Sequence, residues 1–105
     1  MWGMIAKITT LQGKREEMIS ILRESAAGMP GCHKYIVAKD LVDENVLWVN
    51  EIWDNQASHD ASLSLPQVQS AIPRAKPLVA KFEKIAATEP VWGVGLASES
   101  TGRIR

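Results

Sequence analysis

The chain has 105 residues, 46% of them apolar, and its twelve basic residues are balanced by twelve acidic ones. That length holds one core, and the cancelled charge provides no broad positive field to draw nucleic acid or anionic lipid. Apolar stretches run only a few residues, Met1 to Lys7 lacks the layout of an export signal, and Cys32 is the single cysteine. These features argue against a membrane span, a disulfide framework and a multi-cysteine metal site, and the expectation is a protein of the reducing cytoplasm.

Trp2 to Thr9 is largely apolar or β-branched, with Lys7 its only charge, and predicts a first strand. Leu11, Met18, Ile21, Leu22 and Ala26 then recur at helical spacing, while Lys14, Arg15, Glu16, Glu17, Arg23 and Glu24 occupy the other side. An amphipathic helix follows from this pattern, from near Gly13 to Gly28, with Pro30 and Gly31 preventing its continuation. Cys32 to Lys39 and Val46 to Trp53 read as two antiparallel strands joined by the polar connection Asp40 to Asn45. Asp54 or Asn55 can cap a second helix from Gln56, and Pro66 can sit in the first turn of a further helical piece running toward Ile72. Pro73 and Pro77 are expected to break regularity. Leu78 to Phe82 reads as a last helical turn or the start of a strand, and a fourth strand is placed within Lys84 to Leu96. Ala97 to Arg105 carries no periodic signal, so the chain divides into a domain of residues 1–96 and a mobile tail of residues 97–105.

Strand, helix, strand, strand, helix, strand is the ferredoxin-like βαββαβ order, an α+β fold in which a four-stranded antiparallel sheet packs one face on two helices. In the third strand Leu47, Val49, Glu51 and Trp53 form one face and Val46, Trp48, Asn50 and Ile52 the other, so neither face has a solvated character. Helices cover one face. A second copy of the sheet is the economical cover for the other, and a homodimer is expected.

His33 and His59 are the only histidines, and beyond the adjacent Cys32–His33 pair neither has a ligand-type partner at zinc spacing, so no metal is expected. A glycine-rich phosphate loop and a Gly-x-Ser-x-Gly elbow are both missing, which argues against a nucleotide cofactor and a serine nucleophile. Glu51 remains the first candidate for chemistry. A carboxylate among Trp48, Ile52 and Trp53 has its charged form disfavoured, which suits a general base; the alternative is a structural ion pair. His59, early on the second helix, can face a pocket and move protons, or face solvent. Tyr35 divides between core filling and a hydroxyl offered to a ligand. Trp48 and Trp53 point to opposite faces, so one of them at most lines a given cavity. Trp2 and Trp92 are read as packing residues.

Taken together, Gly31-Cys32-x-x-Tyr35, the Asp40 loop, Val49-Asn50-Glu51-Ile52-Trp53, Ser64-Leu65-Pro66-Gln67-Val68 and the early Gln12-Gly13-Lys14 resemble the antibiotic biosynthesis monooxygenase family, over Trp2 to about Leu96. The resemblance implies a dimeric α+β barrel with a pocket between sheet and helices in each subunit. It also implies oxidation of quinols or anthrones by molecular oxygen with neither metal nor flavin, so that no cofactor is expected and the partners are a small aromatic molecule and oxygen. Glu51 or His59 would then accept a proton, Asn50 would stabilise the anion, and Trp53 and Tyr35 would bind substrate. Many relatives carry a histidine just after the proline of the Ser-x-Pro turn, where this chain has Gln67 and Val68. A haem-degrading branch uses a helix histidine where Ile72 stands here, and it is disfavoured. Two other classes compete: a non-catalytic dimeric binding module, which would release its ligand unaltered, and an isomerase, which would consume no oxygen.

Overall fold

The computed structural model describes residues 1–96; the expected tail of residues 97–105 lies outside them. The elements run β1 (Trp2–Thr10), α1 (Arg15–Ser25), β2 (Cys32–Lys39), β3 (Val46–Trp53), α2 (Gln56–Ser62), α3 (Pro66–Ala75), a single 3₁₀ turn (Lys76–Leu78) and β4 (Val79–Thr88). All strand pairings are antiparallel, in the order β2-β3-β1-β4. This is the expected ferredoxin-like α+β arrangement, with the second helical segment split into α2 and α3.

The core lies between one sheet face and the helices. Ala6 and Ile8 of β1 and Leu47 and Val49 of β3 meet Met18 and Ile21 of α1, Ala71 of α3 and Leu78 of the 3₁₀ turn. In α1 the buried positions Met18, Ile21 and Ser25 are three and four residues apart, the spacing that gathers side chains on one stripe. Glu16 and Glu17 in its first turn and Arg23 in its last complement the helix dipole. One Arg15 guanidinium nitrogen donates to the carbonyls of Asp40, Asp43 and Val46 at 3.1–3.3 Å, tying the start of α1 to the β2–β3 connection.

Two local devices place α2. Of the two candidate caps it is Asn55 that acts, its Oδ1 accepting the Ser58 backbone N–H at 2.8 Å. Gly31, just ahead of β2, has φ +81°, and its carbonyl accepts the Asp54 N–H at 2.8 Å. A Cβ at Gly31 would lie 2.8 Å from the Ser58 Oγ, so α2 packs where only a glycine leaves room.

The second half of the chain departs from expectation twice. Pro73 does not end α3. It sits near the end of the helix, where its missing N–H costs only the bond to the carbonyl of Gln69, an exposed residue. The fourth strand is Val79–Thr88: it begins within Leu78–Phe82, as one of the two readings of that stretch has it, and shares only Lys84–Thr88 with the expected Lys84–Leu96 segment. Val91, Trp92 and Val94 have strand-type side chains, but Pro90 cannot donate to a ladder, and residues 89–96 form no strand. Val79–Thr88 is richer in Ala, Lys and Glu because it is an edge strand, held by pairing along β1 from Gly3–Thr88 to Thr10–Val79.

The face of the sheet away from the helices carries Ile5, Ile36, Trp48 and Ile52. Ile36 is exposed and the other three are half-buried. Trp48 is anchored there by donating its Nε1–H to Asp40 Oδ1 at 2.8 Å, and Lys7 Nζ lies 5.6 Å from the centre of its ring. Asp40 also accepts the Val42 and Asp43 backbone N–H groups. These bonds, the Asp43 one foremost, hold its carboxyl down at about 2. Among the described residues, no helix is long and apolar enough to cross a membrane.

Leu47 is fully buried, and Leu47→Ala should lower the unfolding free energy by about 2–5 kcal/mol in urea melts. Gly31→Ala should cost about 1 kcal/mol or more, because both its left-handed backbone and the contact with Ser58 oppose a side chain; a neutral result would show that α2 can move aside.

Candidate functional site

Strand alternation brings the site together. Glu51 and Trp53, two residues apart on β3, point toward the helices, and the β2–β3 register sets Tyr35 opposite Glu51 on the same face. Trp53 is fully buried and donates its Nε1–H to Glu51 Oε1 at 2.9 Å. From α2, His59 places Nε2 4.0 Å from the same oxygen.

These groups border a cavity of about 160 Å³ between the sheet and the helices. Tyr35, Glu51, Trp53 and His59 form its polar end, and Ser25 and Ser62 also border it. Its remaining wall is mainly aliphatic, with Ile21 and Leu22 from α1, Leu63 after α2, and Val68, Ile72 and Ala75 from α3. Val68, Ala71, Ile72 and Ala75 all line it, and their spacing of three, four and seven residues marks one stripe of α3.

Electrostatics distinguish the polar groups. Burial pushes the Glu51 carboxyl above its ordinary range, while the Trp53 hydrogen bond and the nearby His59 oppose that rise. Burial, reinforced by the charges of Glu51 and Cys32, drives the Tyr35 hydroxyl strongly upward, so at neutral pH it stays protonated and available as a donor. His59 Nδ1 lies 3.0 Å from Asp60 Oδ1. In the neutral ring, an Nδ1–H donated to Asp60 leaves Nε2 facing Glu51 as an acceptor. Trp2 and Trp53 hold the imidazole between them, with ring centres 5.0 and 5.6 Å away, the Trp53 contact being edge-on.

Four of the five residues singled out from the sequence therefore converge: Glu51, His59, Trp53 and Tyr35. Asn50 does not. It lies on the opposite sheet face, exposed and paired in register with Ile5 and Ile36, so the strand that points Glu51 inward points Asn50 away from this cavity. Trp2, read as a packing residue, fixes the His59 ring. Val68 and Ile72, which stand at or beside the positions where the resemblance places histidines, are aliphatic wall. Among the described residues, no group of three or more His, Cys, Asp or Glu side chains is placed to hold a metal ion.

Residues 1–74 match the family model of the antibiotic biosynthesis monooxygenases. Among solved structures, a candidate antibiotic biosynthesis monooxygenase from Chloroflexus aurantiacus is 43% identical, superimposes with a TM-score of 0.84, and is matched over 91% of this chain and 98% of its own. Candidate enzymes of the same description from Deinococcus radiodurans (22% identity, TM-score 0.73, 93% of this chain and 100% of that one) and Nitrosomonas europaea (11%, 0.79, 88% and 100%) share the fold. No curated protein matches the sequence. This chain belongs to the antibiotic biosynthesis monooxygenase family.

The raised Glu51 carboxyl has a consequence for stability. Below the ordinary value of 4.5 the group is protonated whether the chain is folded or not, and burial carries no charge penalty. As pH rises through the ordinary value and then the raised folded one, the unfolded state sheds its proton first and the fold loses stability. Glu51→Gln, whose amide oxygen can still accept from Trp53, should therefore be more stable than the native chain at pH 8, and the gain should shrink toward pH 4 in paired urea melts.

Proposed function

We propose that the protein is a monooxygenase that uses molecular oxygen, without metal or flavin, on a quinol-like or polycyclic phenol or anthrone bound in the Glu51 cavity. The observation that carries this reading is a buried, proton-hungry carboxylate, grouped with Tyr35 and His59, on a cavity whose remaining wall is mainly aliphatic. Trp53 occupies Oε1, so Oε2 is the oxygen offered to a substrate hydroxyl. Taking that proton leaves an electron-rich anion, which passes an electron to oxygen directly. One oxygen atom then joins a ring carbon and the other leaves as water, the substrate supplying both electrons and both protons for that water.

In this scheme the protein stabilises the anion with hydrogen-bond donors already in place, since donors fixed in a dry site need no reorganisation as charge develops. Tyr35 can donate its hydroxyl; His59 Nε2, 4.0 Å from Glu51 Oε1, would have to move within hydrogen-bond reach to take the proton onward. Asn50 takes no part in this cavity. The aliphatic wall accepts the apolar body of the ring. We also propose that the protein works as a homodimer, a second copy covering the sheet face that carries Ile5, Ile36, Trp48 and Ile52.

Oxygen uptake with a panel of hydroquinones, naphthohydroquinones and anthrones, measured against autoxidation without protein, tests the activity. Uptake above that control should fall about 10²–10⁴-fold in Glu51→Gln if the carboxylate is the base. Loss in His59→Ala alone would move the role to the histidine. Ligand bound and released unaltered would favour a binding module, and conversion without oxygen an isomerase. Replacing exposed Ile36 by Asp should turn a dimer into a monomer in sedimentation velocity; a native monomer would refute the dimer outright.

A further inference from the structure

A second concavity, of about 390 Å³, lies on the other side of Leu22 and Tyr35, between α1 and β2. These two side chains line both spaces, so they form the partition between the Glu51 cavity and this outer groove. Ile19, Ala26, Ala27 and Val37 complete the mainly aliphatic lining of this groove, and Arg23 is the one charged residue on its border.

The two volumes set different requirements. Apolar cavities of about 150 Å³ are known to hold one benzene ring, so about 160 Å³ beside Glu51 suits a single small ring. A rigid fused tricycle exceeds that space and cannot bend round the partition, so the anthrones and other fused polycycles among the candidate substrates are set aside, whereas a ring bearing a flexible chain can occupy both spaces. We propose that the ligand is a single phenolic ring with an aliphatic substituent: the hydroxyl meets Glu51, and the chain passes between Leu22 and Tyr35 into the groove between α1 and β2. This rests on the reading of the Glu51 cavity as the substrate pocket, and narrows it. Leu22 and Tyr35 are then specificity residues, selecting for a bend between ring and chain. A terminal anionic group on the chain would meet Arg23.

The test is a series of 4-alkylphenols, from phenol to 4-octylphenol, bound to the full chain and followed by tryptophan fluorescence and calorimetry. Affinity should rise about two- to fourfold per methylene over the first few carbons, as expected for apolar surface leaving water. Filling the groove with Ala27→Trp, at an exposed position, should abolish that increment and leave the affinity for phenol itself unchanged. Ala26→Phe provides a second filling variant should the first unfold. A flat series in the native chain overturns the proposal, as does an increment that persists in both variants, which would place the chain elsewhere. Failure of phenol itself to bind overturns it together with the pocket reading. If the alkylphenols bind as expected but the matching alkylhydroquinones consume no oxygen, the two-compartment site stands and the oxidation falls.

Discussion

The register of β3 between β1 and β2 is the constraint on which the rest of the molecule depends. With Glu51 opposite Met4 on one side and Tyr35 on the other, Leu47, Val49, Glu51 and Trp53 all face the helices. Side chains alternate with a period of two, so a slip of one residue would turn Asn50 inward and Glu51 outward, and would expose half of the core in the same step. The apolar residues that select the register also select which polar group enters the cavity. Folding energy and site geometry are thus decided by one choice.

The site nevertheless works against the stability that creates it. A carboxylate sits where an apolar side chain would pack without penalty, held by a single indole N–H from Trp53 and approached by an imidazole. A charge buried with incomplete compensation destabilises its surroundings. The same incompleteness is what lets the carboxylate compete for a proton. The aliphatic wall beside it comes from α1, α3 and the segment after α2.

Legibility from sequence followed the strength of the local signals. The first three strands and α1 are dense in β-branched or periodically spaced apolar residues, and each emerges within a few residues of its expected limits. Alternation in β3 correctly separates Trp48 from Trp53. The same alternation separates Asn50 from Glu51, yet adjacency in a motif placed both in one site. Local signals place the fourth strand too far along the chain because Val91, Trp92 and Val94 have strand-type side chains, whereas Val79–Thr88 owes its conformation to pairing with β1, and pairing is not written in local propensity. Trp2 was undervalued for a related reason: its contact with His59 bridges the first strand and the second helix. The stripe of Val68, Ala71, Ile72 and Ala75 could have been read, had Pro73 not suggested that the helix stops short.

The sheet order carries a consequence for synthesis of the chain. Of the four strands β1 leaves the ribosome first, yet it is an interior strand, and its partners β3 and β4 begin only at residue 46 and residue 79 respectively. Until then its hydrogen-bonding edges have no native partner, and α1 alone can cover Ala6 and Ile8. Pairings so distant along the chain give a high contact order, which slows folding and lengthens the time during which an apolar strand can meet another nascent chain. Because Trp2 pairs with Trp53 and Met4 with Glu51, the polar end of the cavity cannot begin to assemble before β3 has been made.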